Sequence, residues 1–87
     1  MRLYNNCIIT DSIHIGETEF VLGVSTTAPG QFITWKCRDA KHYEDPEHFT
    51  ALAVAQKSIV QRAQEEITRI ELLSAEQAPT QIAEVVL

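Results

Sequence analysis

The residues most able to do chemistry are Cys37, His42 and His48, which lie close together near the middle of the chain. A thiol and an imidazole can form a nucleophile with its general base, or two ligands of a zinc ion. However, the spacing from Cys37 to His42 does not repeat the paired spacings of structural zinc sites, and Cys7 is distant. No orienting third residue or oxyanion-hole loop is recognisable. We therefore expect no catalytic residue, no metal and no cofactor, and interpret Cys37 as a small buried hydrophobic side chain.

Phosphate and nucleic acid are also disfavoured as ligands. The chain has only three glycines, and none stands in a strand-to-helix turn of the kind that cradles a phosphate. Seven Lys and Arg against twelve Asp and Glu give a net charge of −5, whereas binding to nucleic acid requires clustered basic residues. We expect no direct nucleic-acid binding. A charged partner should be basic, for example a protein with a basic nucleic-acid-binding surface.

The amino terminus and the two cysteines predict where the protein resides. The first residues contain one Arg and no apolar run of signal-peptide length, and no stretch is long enough to span a membrane. We expect a cytoplasmic protein with no membrane partner. In that compartment Cys7 and Cys37 should be reduced core thiols rather than a disulfide.

The first part of the chain, residues 1–38, has the composition of strands joined by turns. It is rich in Ile, Val, Thr and aromatic residues, and Gly, Pro and Asp-Ser interrupt it. Apolar residues alternate most clearly at 19–24, which is typical of a strand with one buried face. The pattern predicts a short antiparallel sheet of three to four strands, at 3–9, 12–15, 19–24 and 31–38.

The second part of the chain changes to a helical period. Asp45, Pro46 and Glu47 offer a cap, a proline for the first turn and an acid that favours the helix dipole. Apolar residues then recur three, four and seven apart, so residues 46–74 are predicted to form one long amphipathic helix. Pro79 should end the helical region. The apolar tail 79–87 forms either a C-terminal strand, which its composition favours, or a segment folded back on the helix.

These elements predict a single α+β domain over residues 1–87, in which the sheet packs against the helix. A chain of this length has enough apolar surface for one core and too little for two. The residues expected in that core are Ile13, Ile15, Phe20, Leu22, Ile33, Trp35, Leu52, Ile59 and Ala63.

The predicted helix is longer than the sheet that it covers. Residues 46–74 would span about 43 Å, whereas a six-residue strand spans about 20 Å. Ile67, Ile70 and Leu73 then lack an intramolecular partner, which predicts self-association as a homodimer through these residues. Two alternatives remain: the helix ends earlier and bends back as a hairpin, or the tail covers its apolar side.

The segment 38–48 is the densest run of charged and titratable groups, between the last predicted strand and the helix. It is interpreted first as a solvated loop whose acids stabilise the start of the helix, and second as a binding site. Acidic positions on the exposed side of the helix would extend such a site. The candidate partner contacts are His42, Tyr43, Glu44, His48, Glu65, Glu66, Arg69 and Glu71.

The runs TDSIHIGETEFVLGV and APGQFITWKC, with the region around Tyr43, resemble small uncharacterised proteins of phages and mobile elements of Gram-positive bacteria. The resemblance covers the sheet half and extends to the helix only by pattern. It implies a short acidic protein that binds a host factor, as inhibitors of CRISPR nucleases and of other antiphage systems do. We therefore expect a non-enzymatic protein-interaction module, an inhibitor or accessory factor that binds a host defence protein. The alternative is a small-molecule-binding protein or minimal enzyme with a site between protomers.

Overall fold

A computed structural model describes the backbone of residues 1–86 and the side chains of residues 1–74. In this part of the chain a five-stranded antiparallel sheet is followed by one helix. The α+β fold class is confirmed, although the sheet has five strands rather than three to four. The elements are β1 (Leu3–Tyr4), β2 (Cys7–Ile15), β3 (Thr18–Ser25), β4 (Phe32–Arg38), β5 (His42–Phe49) and α1 (Leu52–Val86).

The strands pair in chain order, so neighbours in the sheet are also neighbours in the sequence. Short turns connect them. Asn5 and Asn6 join β1 to β2 with φ angles of 50° and 61°, a left-handed conformation that asparagine adopts more readily than most residues. Gly16, with a φ of 61°, begins the turn from β2 to β3 and has no side chain to oppose that angle.

The boundary expected between the first two strands lies elsewhere. The chain turns between β1 and β2, and residues 7–15 form one continuous strand in place of the expected break near Asp11. A bulge between Ile9 and Asp11 explains how a single strand accommodates this sequence. Ile9 and Ile13 would share a face in a regular strand, but the extra residue places them in clusters on opposite faces.

The expected helix start at Asp45 and Pro46 was wrong, because both residues belong to the edge strand β5. They lie together opposite Trp35 of β4, where the register shifts, and Asp45 has a φ of 54°. This is a bulge. An edge strand tolerates proline at such a position because no hydrogen bond of the sheet requires an N–H there. Asp45 and Pro46 have the residue types of a helix start, but the pairing of β5 with β4 makes them a bulge.

The helix α1 begins at Leu52 and continues to Val86, so both predicted ends were wrong. Its first turn is closed by Ala55 N, which donates to the carbonyl of Ala51 at 3.1 Å. Residues 79–86 continue the helix instead of forming a C-terminal strand, because a proline removes one intrahelical hydrogen bond but does not prevent the chain from remaining helical. The last residue of the apolar tail, Leu87, lies outside the described residues.

The face of the sheet beneath the helix carries the larger apolar core. Alternate residues of β3, Phe20 and Leu22, point to this side and meet helix residues spaced four apart. Leu52, which was expected in the core, is instead 43% exposed, because the first buried position of α1 is Ala55. The buried members are Phe20, Leu22, Ala55, Ile59 and Ala63, and Ile13, Ile15, Val24, Phe32 and Phe49 pack around them.

The opposite face of the sheet has a second core, which the sequence prediction of one core did not distinguish. Ile33 and Trp35, expected beneath the helix, belong to this face because they alternate with the helix-facing residues of β4. The buried members are Cys7, Val21 and Trp35, and Tyr4, Ile9, Ile33 and Tyr43 pack around them.

The helix is longer than the sheet that it covers, as expected, although it begins and ends at other residues than predicted. At 1.5 Å per residue, the 35 residues of α1 span about 52 Å, and the molecule measures 62 × 24 × 18 Å. Toward the end of the described side chains of α1, Ile67, Ile70, Leu72 and Leu73 are 40%, 40%, 61% and 49% exposed. Within the described residues, no helical stretch has both the length and the apolar character needed to cross a membrane.

Candidate interaction surfaces

A groove of about 750 Å³ lies between strand β5 and the first half of α1. We call it the β5–α1 groove. Most of its lining side chains are charged, and both signs are present. It is lined by Phe20, Lys36, Asp45, Glu47, Phe49, Val54, Lys57, Ser58, Gln61, Arg62, Glu65, Glu66 and Arg69.

The helix wall of the groove follows from sequence spacing. Ser58, Arg62, Glu65 and Arg69 lie four, three and four residues apart, so they form one stripe along α1 beside the buried stripe of Ala55, Ile59 and Ala63. The strand wall follows from the alternation of side chains in β5: after the bulge, Glu47 and Phe49 point to the helix side of the sheet. The polar stripe of α1 is therefore held against β5 by the apolar stripe next to it.

Arg62 joins the two walls. Its Nε lies 3.1 Å from Glu47 Oε1, and Ser58 Oγ donates to the same carboxylate oxygen at 3.3 Å. Arg62 Nη2 also donates to the backbone carbonyl of Asp45, at the bulge. Buried side-chain atoms that have no hydrogen-bond partner among the described residues include Arg62 Nη1. The bulge, with its left-handed Asp45, is thus fastened to the helix by one guanidinium group.

The far end of the groove holds a second ion pair, between Glu66 and Arg69. Arg69 Nε donates to Glu66 Oε1 at 3.1 Å and Nη2 to Oε2 at 2.7 Å, which is a bidentate contact. The Glu66 side chain is only 8% exposed. The hydrogen bond from Arg69, with the charges of Arg69, Lys36 and Arg38, holds the pKa of Glu66 below its ordinary value against the opposing effect of burial. Glu66 is therefore a fixed anion.

The structure brings part of the predicted partner site together. Glu65, Glu66 and Arg69 lie in the groove, opposite strand residues from the same charged segment that the sequence singled out. Glu44 is nearby on β5 and pairs with Arg38, whose Nε is 2.6 Å from Glu44 Oε1. The expected solvated loop is absent from this part of the structure, because 42–49 pairs as a strand.

Other predicted contacts lie outside the groove. His42 is exposed and its Nδ1 lies 2.9 Å from Asp39 Oδ1. Tyr43 packs in the core on the opposite face of the sheet. His48 and Glu71 are exposed, and neither lines the groove.

Several groove residues were missed by sequence reasoning, above all Ser58 and Arg62. The four-three-four spacing of the polar stripe could have identified them. Lys36 could not be found in this way, because its position depends on the pairing of β4 with β5. The self-association candidates Ile67, Ile70 and Leu73 lie on the exposed part of α1, as expected.

On the other face of the sheet, Arg2 is the centre of a polar cluster. Its Nη1 donates to Glu19 Oε2 at 2.6 Å, its Nε to the Tyr43 hydroxyl at 2.9 Å, and its Nη2 to Cys37 Sγ at 3.5 Å. The hydrogen bond from Arg2 is the main cause that holds the pKa of the buried Glu19 below its ordinary value, although burial opposes it. This cluster pairs the buried Glu19 carboxylate with Arg2, whose side chain is 35% exposed.

Neither cysteine is arranged as a nucleophile. Cys7 and Cys37 are free and buried, and burial raises the pKa of both thiols, although the charge of Arg2 opposes this at Cys37. A raised pKa reduces the thiolate fraction that reacts. His42 contacts Asp39 rather than Cys37. Among the side chains of residues 1–74, no group of three or more His, Cys, Asp or Glu is placed to hold a metal ion.

Comparison of the chain with protein-family models, with curated proteins and with solved structures found no match. Its function is therefore inferred from its own residues. Among the described residues, two surfaces support that inference: the charged β5–α1 groove and the exposed apolar side chains Ile67, Ile70, Leu72 and Leu73 of α1.

Proposed function

We propose that this protein is a non-enzymatic protein-interaction module whose contact site is the β5–α1 groove. One observation carries the proposal: charged side chains from two separate parts of the sequence converge in a single open groove. Asp45 and Glu47 come from β5, whereas Glu65 and Arg69 come from α1. Such a surface suits a charged protein partner, because complementary charges across an interface fix its orientation and accelerate association.

The chemistry of the lining favours a protein over a small ligand. Sites for small molecules are mostly apolar and aromatic, with a few polar groups that set orientation. In this groove charged side chains predominate, and Glu65 and Lys57 are exposed at its edge. An exposed, charged surface resembles the polar rim of a protein interface.

The resemblance to phage and mobile-element proteins gives the proposed partner a class. We assign the groove to a host defence protein with a basic nucleic-acid-binding surface, such as a CRISPR nuclease. The carboxylates of Asp45 and Glu65 would contact its Lys and Arg side chains, in keeping with the net charge of −5. The protein would then act in the cytoplasm, as an inhibitor or accessory factor.

A charge reversal tests this proposal. The unmodified protein, Glu65→Lys and Glu17→Lys are titrated against purified CRISPR nucleases of Gram-positive hosts, and both binding and DNA cleavage are measured. Glu17 is exposed at the turn between β2 and β3 and does not line the groove, so it is the matched control. Glu65→Lys should weaken binding about tenfold or more, a loss of about 1.4 kcal/mol, while Glu17→Lys should not. Equal effects of the two substitutions would move the contact away from the groove.

A small-molecule ligand is the second candidate, supported by Arg62 Nη1. This buried donor has no partner among the described residues, and the groove volume of about 750 Å³ is within the range of ligand sites. A carboxylate-bearing ligand would satisfy the donor, and a second protomer could complete the pocket. Thermal unfolding with a panel of small carboxylates distinguishes this candidate, because a ligand that binds only the folded protein raises the Tm.

A further inference from the structure

The two outer edges of the sheet differ in how they are protected from pairing with another strand. On β5, Pro46 lacks an N–H and the bulge with the left-handed Asp45 interrupts the edge. Prolines and bulges are devices that oppose strand addition at an edge. The short strand β1 pairs with β2 only at Cys7 and Ile8. Within the part of the chain that the structure describes, residues 11–15 of β2 therefore have one open side.

Residues 11–15 form a regular strand after the bulge. They pair with β3 without a further register shift, from Asp11 opposite Leu22 to Ile15 opposite Thr18. The stretch spans about 17 Å and contains no proline, lysine or arginine. The unpaired N–H and C=O groups of such an edge can bind an extended peptide as an additional strand. The open side of β2 thus offers main-chain hydrogen bonds to a partner strand of the same length.

The side of α1 nearest this edge is apolar. Gln56 Nε2 donates to Asp11 Oδ2 at 3.4 Å, which places the Gln56 side of the helix beside β2. Leu52, Val60 and Ile67 follow on the same side, at about 100° per residue around the helix axis. They are 43%, 47% and 40% exposed. A strand added to β2 would therefore lay its helix-side residues against apolar side chains.

The charge of this edge favours a basic partner strand. Residues 3–35 contain no Lys or Arg, and no ion pair among the described side chains involves Asp11. A second copy of the edge could not supply a Lys or Arg to Asp11, and an acid on the covered side of an edge opposes pairing of like edges. Opposite charges on directly facing residues stabilise a strand pair. The complementary occupant is thus a different strand, with Lys or Arg opposite Asp11.

We propose that the open side of residues 11–15 binds an extended segment of a protein partner as a sixth, antiparallel strand. The segment has Lys or Arg opposite Asp11 and apolar residues opposite Ile13 and Ile15, which pack on the helix side of the sheet. None of the residues that line the β5–α1 groove belongs to β2. The inference goes beyond the proposed function, because this second contact does not depend on the groove.

A designed peptide tests the proposal. The probe is acetyl-Val-Thr-Val-Thr-Lys-amide, which in antiparallel register places Val opposite Ile15 and Ile13 and Lys opposite Asp11. It is titrated to millimolar concentration into the isotope-labelled full chain, and amide chemical shifts and amide hydrogen exchange are measured. The amides of residues 11–15 should shift and exchange more slowly, whereas those of β5 should not change. An absence of change at residues 11–15 overturns the proposal.

Methylated peptides test the main-chain contact separately from the side chains. Alternate N–H groups of a bound strand point toward its neighbour and toward solvent. One probe is therefore methylated at both Thr nitrogens and another at the Val and Lys nitrogens. Only one of the two should bind as the unmodified peptide does. Unimpaired binding of both overturns the proposal.

A charge exchange tests the predicted partner chemistry. Asp11→Lys should bind the Lys peptide about tenfold more weakly and should prefer a peptide with Glu in place of Lys. Glu65→Lys makes the same charge change on α1 and should leave peptide binding unaltered. Equal losses in the two variants, or equal binding of the Lys and Glu peptides to the unmodified protein, overturn the proposal. Nuclease binding that is sensitive to Glu65→Lys without any peptide binding refutes the edge contact alone, and the converse refutes the groove assignment alone.

Discussion

Tyr4 of β1 stacks on Tyr43 of β5 with ring centroids 3.8 Å apart and ring planes within 11°, although the two strands are at opposite edges of the sheet. The sheet therefore curls until its edges meet on the side opposite the helix. Trp35 contacts both tyrosines edge-on, with centroids 5.1 and 5.9 Å away, and Arg2 lies over the Tyr43 ring at 5.4 Å. The first residues of the chain thus close the second core.

Tyr4→Ala should destabilise the protein by about 2–3 kcal/mol, because it removes the stacked and edge-on contacts and leaves a cavity beside Trp35. Urea unfolding at neutral pH measures the change. Leu3→Ala is the control on the same short strand. Leu3 is exposed, so its loss should cost no more than about 0.5 kcal/mol. Similar losses for the two variants would show that the aromatic cluster contributes little.

The pair of Arg2 and Glu19 makes stability depend on pH. Because the pKa of Glu19 is lowered in the folded protein, its stabilising contribution is present at neutral pH and is lost as the pH falls below 4.5, through the lowered value. Glu66 contributes with the same sign. Glu19→Gln should therefore make stability between pH 5 and pH 2 less steeply dependent on pH, whereas Glu17→Gln at an exposed turn should not. An unchanged slope in Glu19→Gln would contradict the assignment.

Gly23→Ala should be destabilising, since Gly23 allows two side chains to pack against the backbone of β3. A Cβ atom at this position would lie 2.8 Å from Cys7 Cβ and 2.9 Å from Trp35 Cζ3. Overpacking of this kind costs about 1–3 kcal/mol. The measurement is urea unfolding of a double-mutant cycle with Trp35→Phe, which removes the second of these contacts. The alanine should cost less in the Trp35→Phe background, and strict additivity would mean that Trp35 does not restrict this site.

The sequence predicts those parts of the fold in which the local residue types and the spacing of apolar residues indicate the same element. Strand β3 alternates cleanly from Phe20 to Val24, and the second part of the chain keeps a helical period, so the α+β class and the presence of one long helix follow from pattern. The ends of that helix do not follow, because 79–87 was favoured as a strand. The strand β5 could not be found in this way. Its Asp45-Pro46 pair has the residue types of a helix start, and only pairing with β4 converts those residues into a bulge.

The candidate site was predictable to the same degree. Its helix wall is visible in the spacing of the polar stripe, and Glu65, Glu66 and Arg69 were identified as contacts. Its strand wall depends on β5, where the bulge at Asp45 and Pro46 puts Glu47 on the helix side of the sheet although Tyr43, four residues earlier, faces the other core. A shift of one residue would exchange these faces. Sequence alone could therefore name the charged segment but not the side chains that it presents to the groove.

Arg62→Ala should loosen β5 more than it lowers global stability. The substitution removes the contact of 3.1 Å to Glu47 and the hydrogen bond to the Asp45 carbonyl, but Glu47 is half exposed and solvent can replace its partner. We expect a global loss of about 1 kcal/mol, together with faster amide hydrogen exchange in residues 44–48. Chemical denaturation and native-state exchange measure the two quantities separately.

Arg62→Lys is the matched control for the contacts that Arg62 makes with Glu47 and with the Asp45 carbonyl. Lysine keeps the charge beside Glu47 but lacks the planar fork that reaches a carboxylate and a carbonyl together. Exchange in 44–48 should therefore be intermediate, closer to that of Arg62→Ala if the bond to the bulge carbonyl matters more than the ion pair. Protection of β5 that is equal in all three proteins would show that the bulge is held by its pairing with β4 alone, and that Arg62 is free to serve a partner in the groove.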